Sequence, residues 1–234
     1  MRRIYEIDAL RGLGIILVVI FHTAWDICSE YSLSIINAPF ITALVYLFAG
    51  MLIFISGASS YLGKNTLKRS IIVLICALGV TAVTYVMSPR NYIGFGILHL
   101  LGVSMLVSWA VKKFHMPNWA VLIIAVIIFV AGLFVGEIHV KTPVLFWLGL
   151  TTKTYSALDF YPLMPWLSVF LFGYLFSSRF YKEHKSPFTK GWYRNDILSF
   201  CGRQSLVIYV VHQPIVYLLI YYTPLKTLLD AIFG

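Results

Sequence analysis

Seven stretches of this chain are apolar over the length a helix needs to cross a bilayer: residues 9–27, 40–62, 70–87, 94–112, 119–135, 163–178 and 204–222. At 1.5 Å per residue, about 20 such residues span a hydrocarbon core of roughly 30 Å. Backbone amides in lipid must be satisfied within the segment, which leaves helix as the conformation for each run. Only 12% of the 234 residues are charged and 60% are hydrophobic, too little charge to coat a globule in water. A soluble enzyme, a disordered chain and a disulfide scaffold are excluded. The expectation is an all-α, polytopic integral membrane helix bundle of about seven transmembrane helices, forming one domain over residues 1–234. Residues 144–151 are apolar but too short to cross, so a re-entrant or interfacial segment is expected there. The N-terminal run has the basic start of a signal peptide, but Asp8, Arg11, His22 and Asp26 interrupt it and no small-residue cleavage site follows. It reads as a retained first helix.

The net charge of +9 sits in the short connections between apolar runs. That pattern points to the lipid bilayer as partner, and not to nucleic acid. With the N-terminus inside, the cytoplasmic face receives Arg2, Arg3, Arg11, Lys64, Lys68, Arg69, Lys112, Lys113, Arg179, Lys182, Lys185, Lys190, Arg194 and Arg203, against Arg90, Lys141, Lys153 and Lys226 outside. Seven crossings, N-in and C-out, follow from that asymmetry. Cys28, Cys76 and Cys201 are odd in number and widely spaced, indicating neither a disulfide framework nor a metal site. No Walker loop, H-E-x-x-H or G-x-S-x-G motif occurs.

An ionisable side chain within a span costs about 2.5–3.5 kcal/mol on insertion scales, so each is a candidate site residue. Arg11, His22 and Asp26 share one stripe of the first helix, Arg11 about 16 Å along the axis from His22. Arg11 suits phosphate through its fork of donors. His22 suits proton transfer, with Asp26 one turn away to orient it. The simpler alternatives are an Arg11 paired with Asp8 and snorkelling to headgroups, and a His22 that only packs. His99 reads equally as a helix–helix hydrogen bond or a site residue. His212 and Gln213 either line a site or satisfy a carbonyl left unpaired by Pro214. Asp159, just ahead of the sixth span, is a solvated carboxylate or a binding group. His115, His139 and His184 fall in connections. Gly50, Gly57, Gly94, Gly96, Gly102 and Gly173 suit close helix packing.

Five blocks carry a family likeness: EIDALRGLGIILVVIFHTAWD from Glu6 to Asp26, FISGASSYL from Phe54, FGILHLLG from Phe95, DFYPLMPWLSVFLFGY from Asp159 and GRQSLVIYVVHQP from Gly202. In this order, across nearly the whole chain, they resemble the bacterial branch of the heparan-alpha-glucosaminide N-acetyltransferase catalytic family, within the wider transmembrane acyltransferases. The resemblance implies a multi-pass enzyme of a prokaryotic cell membrane, with homodimers as an implied assembly. Cytoplasmic acetyl-CoA would be the donor, and a sugar or envelope glycan amine or hydroxyl on the other side the acceptor. Asp8, Arg11 and Gly12 match the family's D-x-x-R-G start, and His22 matches a histidine that ends the equivalent helix in the broader acyltransferases. The animal lysosomal enzymes look to have asparagine there and a catalytic histidine shortly afterwards. Residues 23–38 here contain no histidine.

The expected mechanism sets the CoA phosphates against Arg11, Lys64, Lys68, Arg69 and Arg203. His22 is the base, oriented by Asp26, and His99 donates to the oxyanion or shares the proton relay. Asp159 binds the acceptor, while His212 and Gln213 line the cavity. No metal and no haem are expected. Direct transfer and an acetyl-histidine intermediate both fit. Two rivals remain: a transporter or flippase without covalent chemistry, and a haem-binding electron-transfer subunit with His22, His99 and His212 as axial candidates.

Overall fold

The structure, a computed structural model, describes residues 4–181 and 196–233. Lys182, Lys185, Lys190 and Arg194, used above for orientation with Arg2 and Arg3, lie outside the described residues, as does His184. The chain runs through α1 (Tyr5–Glu30), α2 (Pro39–Leu62), α3 (Thr66–Met87), α4 (Ile97–Lys113), α5 (Asn118–Val135), α6 (Leu163–Phe180), α7 (Asp196–Arg203), α8 (Ser205–Tyr222) and α9 (Pro224–Phe233). Each of the seven apolar runs is a helix, and the described residues contain no strand. Five of these helices, α1, α2, α3, α5 and α8, are long and apolar enough to cross a membrane. The fold is all-α and belongs to an integral, multi-pass membrane protein. The run at 144–151 includes a short 3-10 helix, Pro143–Leu148, ended by Gly149 at φ 113°.

The chain divides into two compact units, with the boundary inside α2 between Leu52 and Ile53. The first comprises the second half of α2 with α3 to α6. There α3 packs along α4, and α6 meets both α4 and α5. Gly57 on α2 and Gly173 on α6 allow a close crossing. A Cβ at Gly57 would overlap the Phe170 carbonyl, and one at Gly173 the Phe54 carbonyl. Small hydroxyls join the other helices: Ser60 Oγ donates to Ser108 Oγ (2.8 Å), and Ser70 Oγ to the Gly102 carbonyl (2.7 Å). Lys112 Nζ donates to the Gly63 carbonyl (2.8 Å) and to Thr66 Oγ1 (3.2 Å), placing a cation where α2 ends in unpaired carbonyls. α5 instead exposes Leu122, Ile123, Ile127, Val130 and Leu133, an apolar face suited to lipid.

The second unit holds α1, the first half of α2, α7, α8 and α9. Gly12 and Gly202 form its tightest crossing. A Cβ at Gly12 would overlap the Leu198 carbonyl, and one at Gly202 the Asp8 carbonyl. The glycine of the D-x-x-R-G block thus packs against the glycine that opens G-R-Q-S-L. Val216, Ile220 and Leu229 form an apolar core with Ile27, Tyr31 and Tyr221 packed against it. Around it, Tyr31 Oη donates to Asp230 (2.6 Å), Tyr221 Oη donates to Glu30 (2.8 Å), and Lys226 pairs with Glu30 (3.7 Å). The bond to Asp230 pushes the Tyr31 hydroxyl up to about 12.

α7 and α9 were not anticipated from the sequence. Both are short and two-sided, and neither supplies the run of apolar residues by which a span is recognised. α9 does carry a local signal, a proline at its first position, where the missing N–H has no helical partner.

Candidate active site

In the second unit, α1 and α8 meet in two polar rungs. His22 and His212 lie with ring centroids 5.1 Å apart and planes at 72°. One turn along α1, Asp26 Oδ2 accepts from Gln213 Nε2 at 2.7 Å. Asp26 is therefore tied to α8, one rung beyond His22. Among the described residues His22 has ring contacts with Phe21 and His212 and no hydrogen bond.

α8 is helical through Pro214, which has no N–H to return along the helix. The backbone just ahead of it is bonded by His212, whose Nδ1 lies 2.6 Å from the Tyr209 carbonyl. A carbonyl only accepts, so Nδ1 carries the hydrogen and Nε2 presents a lone pair. His212 is 6% exposed, and Nε2 and Gln213 Oε1 are both buried without a hydrogen-bond partner. The Tyr209 bond had no signal in the sequence beyond the spacing of three residues before the histidine.

Arg11, on the stripe that carries His22 and Asp26, donates from Nη1 to the Gly202 carbonyl (3.3 Å) and pairs with Asp8 (3.6 Å). Arg203, the next residue, is exposed and lies over the Phe200 ring, its guanidinium carbon 5.8 Å from the centroid. The α1–α7 crossing thus brings Arg11 to the backbone beside Arg203, two guanidinium-bearing residues 192 positions apart in the sequence.

His99 and Asp159 belong to the first unit, and both act on the start of α4. Gly96 N–H donates to His99 Nδ1 (3.3 Å), so the neutral ring carries its hydrogen on Nε2, 3.2 Å from Thr81 Oγ1. Thr81 in turn donates to the Ile93 carbonyl (2.7 Å). Both His99 nitrogens are engaged within this chain of bonds, and the ring stacks on Phe95 at 5.5 Å.

Asp159 Oδ2 accepts from Ile97 N–H (3.0 Å) at the first turn of α4, where a carboxylate complements the helix dipole. Gly96 is what allows the approach, since a Cβ there would meet Asp159 Oδ2. The residue as a whole is half-buried but its carboxylate is enclosed, and this burial raises it to about 6 despite the opposing Ile97 bond. The fold therefore favours the protonated acid. That contribution is complete below the ordinary value of 3.8 and is lost as pH rises through about 6. Asp159→Asn keeps an oxygen for Ile97 and removes the cost of ionisation. Its thermal midpoint is expected to exceed that of the wild type by on the order of a few °C at pH 8, with the difference gone by about pH 4. Equal midpoints at pH 8 would refute this.

Lys64, Lys68 and Arg69 are exposed at the α2–α3 connection, where Arg69 Nη1 lies beside Gly63. From Tyr31 to Gly136 the sequence contains no Asp or Glu.

Among known protein families, the one described as "Heparan-alpha-glucosaminide N-acetyltransferase, catalytic" matches residues 3–214. No curated protein and no solved structure matches the chain. The matched range takes in both units, from the D-x-x-R-G block on α1 to the H-Q-P on α8. With all-helical architecture and membrane-length helices, this range shows that the chain belongs to the heparan-alpha-glucosaminide N-acetyltransferase catalytic family and is a membrane acetyltransferase.

Proposed function

We propose that this acetyltransferase uses acetyl-CoA as donor and an amine or hydroxyl of a sugar or envelope glycan as acceptor, with its chemistry at the α1–α8 rungs. The observation that carries the reading is the meeting of His22 with His212, and of Asp26 with Gln213, on two apolar helices. Four polar side chains in such helices are costly unless they serve one another or a ligand. A thioester is already an activated acyl donor. The protein must chiefly take the proton from the attacking group and hold it near the carbonyl. In this reading His22 is the base, since no hydrogen bond occupies its ring, and Asp26 with Gln213 fixes the neighbouring rung. Direct transfer and an acetyl-histidine intermediate are both compatible with that arrangement.

Arg11 and Arg203 receive the phosphates of CoA at the α1–α7 crossing. Seven crossings with the N-terminus and these arginines on the cytoplasmic side, the side that holds acetyl-CoA, are part of the proposal. The stripe on α1 supports it, because about 16 Å of helix separates Arg11 from His22, enough for an extended pantetheine arm. In the first unit the reading assigns Lys64, Lys68 and Arg69 to anionic groups, while Asp159, whose enclosed carboxylate holds the Ile97 N–H, serves the start of α4. His99, whose ring nitrogens are occupied, becomes a support for the start of α4. The family match across both units supports a single catalytic domain.

Isothermal titration with acetyl-CoA tests the donor assignment. Saturable binding is expected, weakened about tenfold or more by Arg11→Ala, the scale of one charge-assisted hydrogen bond. A folded wild type that binds no acetyl-CoA would overturn it and turn attention to substrate movement without covalent chemistry.

A further inference from the structure

His212 stands out within the α1–α8 rungs because its tautomer is determined. Its Nδ1–H is spent on the Tyr209 carbonyl, and its Nε2 lone pair is buried, faces no donor among the described residues, and sits on a ring edge-to-face with His22. A packing histidine normally has both nitrogens satisfied, as His99 does through Gly96 and Thr81. An acceptor left open in an apolar helix is costly unless a donor reaches it during function. Of the two rings beside it among the described residues, Tyr209 and His22, only His22 is an imidazole that titrates near neutrality, and no hydrogen bond holds its tautomer.

We infer that His212 is a second proton carrier, accepting at Nε2 the proton that His22 takes from the attacking group. This rests on the reading that the reaction is acetyl transfer at these rungs. The acceptor's N–H or O–H bond breaks as its heteroatom attacks the thioester carbonyl, and the proton passes to the unprotonated nitrogen of His22. The hydrogen on the other His22 nitrogen moves to His212 Nε2. The C–S bond breaks with its electron pair leaving on sulfur. The relayed proton then returns through His22 to the thiolate, giving CoA-SH and the acetylated acceptor. No hydrogen is gained or lost by the enzyme over the cycle. While charged, His212 is held by the Tyr209 carbonyl and lies within electrostatic reach of Asp26. The edge-to-face arrangement requires one ring to turn before a direct hydrogen bond forms, so the relay opens and closes with ring rotation.

The test compares His212→Gln and His212→Ala in the full-length protein, using an acetyl-transfer assay with acetyl-CoA, a thermal melt and added imidazole. Gln keeps a donor for the Tyr209 carbonyl but cannot carry a proton. Both variants are expected to lower kcat about a hundredfold, the low end for loss of a positioned acid–base group, with the KM for acetyl-CoA within about twofold. Imidazole should restore part of the His212→Ala rate. A kcat for His212→Gln within about twofold of the wild type would overturn the relay. So would a loss confined to KM, or a loss in both variants that imidazole does not relieve. If His212→Ala does not fold, His212→Gln decides alone through its kcat. A wild type that transfers no acetyl group would sink the underlying reading as well, whereas an active wild type with an active His212→Gln sinks only the relay.

Discussion

His22→Ala is expected to reduce acetyl transfer by about 10²–10⁴-fold, the range for loss of a general base, while leaving acetyl-CoA binding and the melting midpoint close to wild type. Stability should survive because His22 touches Phe21 and His212 only through ring contacts and holds no hydrogen bond. Its removal leaves no donor or acceptor newly unpaired, and His212 keeps its bond to Tyr209. Binding should survive because Arg11 sits about 16 Å away along the helix. A transfer assay beside a titration with acetyl-CoA separates the two effects. Turnover near the wild-type rate would remove His22 from the chemistry, and lost binding would move it from base to ligand contact.

Gly202→Val should produce the largest structural effect of any single substitution on α7. A Cβ at this position would fall inside the Asp8 carbonyl group and against Gly12 N, and both obstacles are backbone. No side-chain rotation relieves them, so α7 must move away from α1, at a cost of about 1–3 kcal/mol or more. Retreat also stretches the bond from Arg11 to the Gly202 carbonyl and displaces Arg203. The expected result is a lower melting midpoint together with acetyl-CoA affinity weakened about tenfold or more, as for Arg11→Ala. Gly79→Val is the matched control, since a Cβ at Gly79 on α3 meets nothing within 4 Å. If the two variants melt and bind alike, the crossing does not govern the donor site.

Seven of the helices, α1 to α6 and α8, were legible because each is a long apolar run, a signal that needs no knowledge of tertiary contacts. The stripe of Arg11, His22 and Asp26 was legible for the same reason, being a matter of spacing along one helix. What faces that stripe was not. His212 and Gln213 lie 190 and 187 residues from His22 and Asp26, and nothing local selects α8 as the opposing helix. The Gly12–Gly202 crossing was hidden similarly. Each glycine was visible in a recognisable block, but that the blocks touch is a property of the folded unit. His99 and Asp159 show a third case, where residue type suggested chemistry and geometry supplied a structural use. Gly96 followed three residues later by His99 is a local cue to a helix start, and it accounts for one of the two His99 bonds. The Thr81 bond, 18 residues back, had no such cue.

The unit that carries His22 is built from the two ends of the described chain, 4–52 and 196–233, whereas the other is one continuous stretch, 53–181. During synthesis α1 therefore enters the bilayer long before α7 and α8 exist. At 5–20 residues per second the wait is roughly ten to forty seconds. Throughout that time Arg11, His22 and Asp26 lack the Gly202 carbonyl, the His212 ring and the Gln213 amide that later receive them. The nascent first helix thus carries unpartnered polar groups in lipid, and the unit that holds His22 closes only as the last helices are released. Truncations that remove α8 should leave α1 exposed to membrane quality control, even though every residue of the first unit is intact.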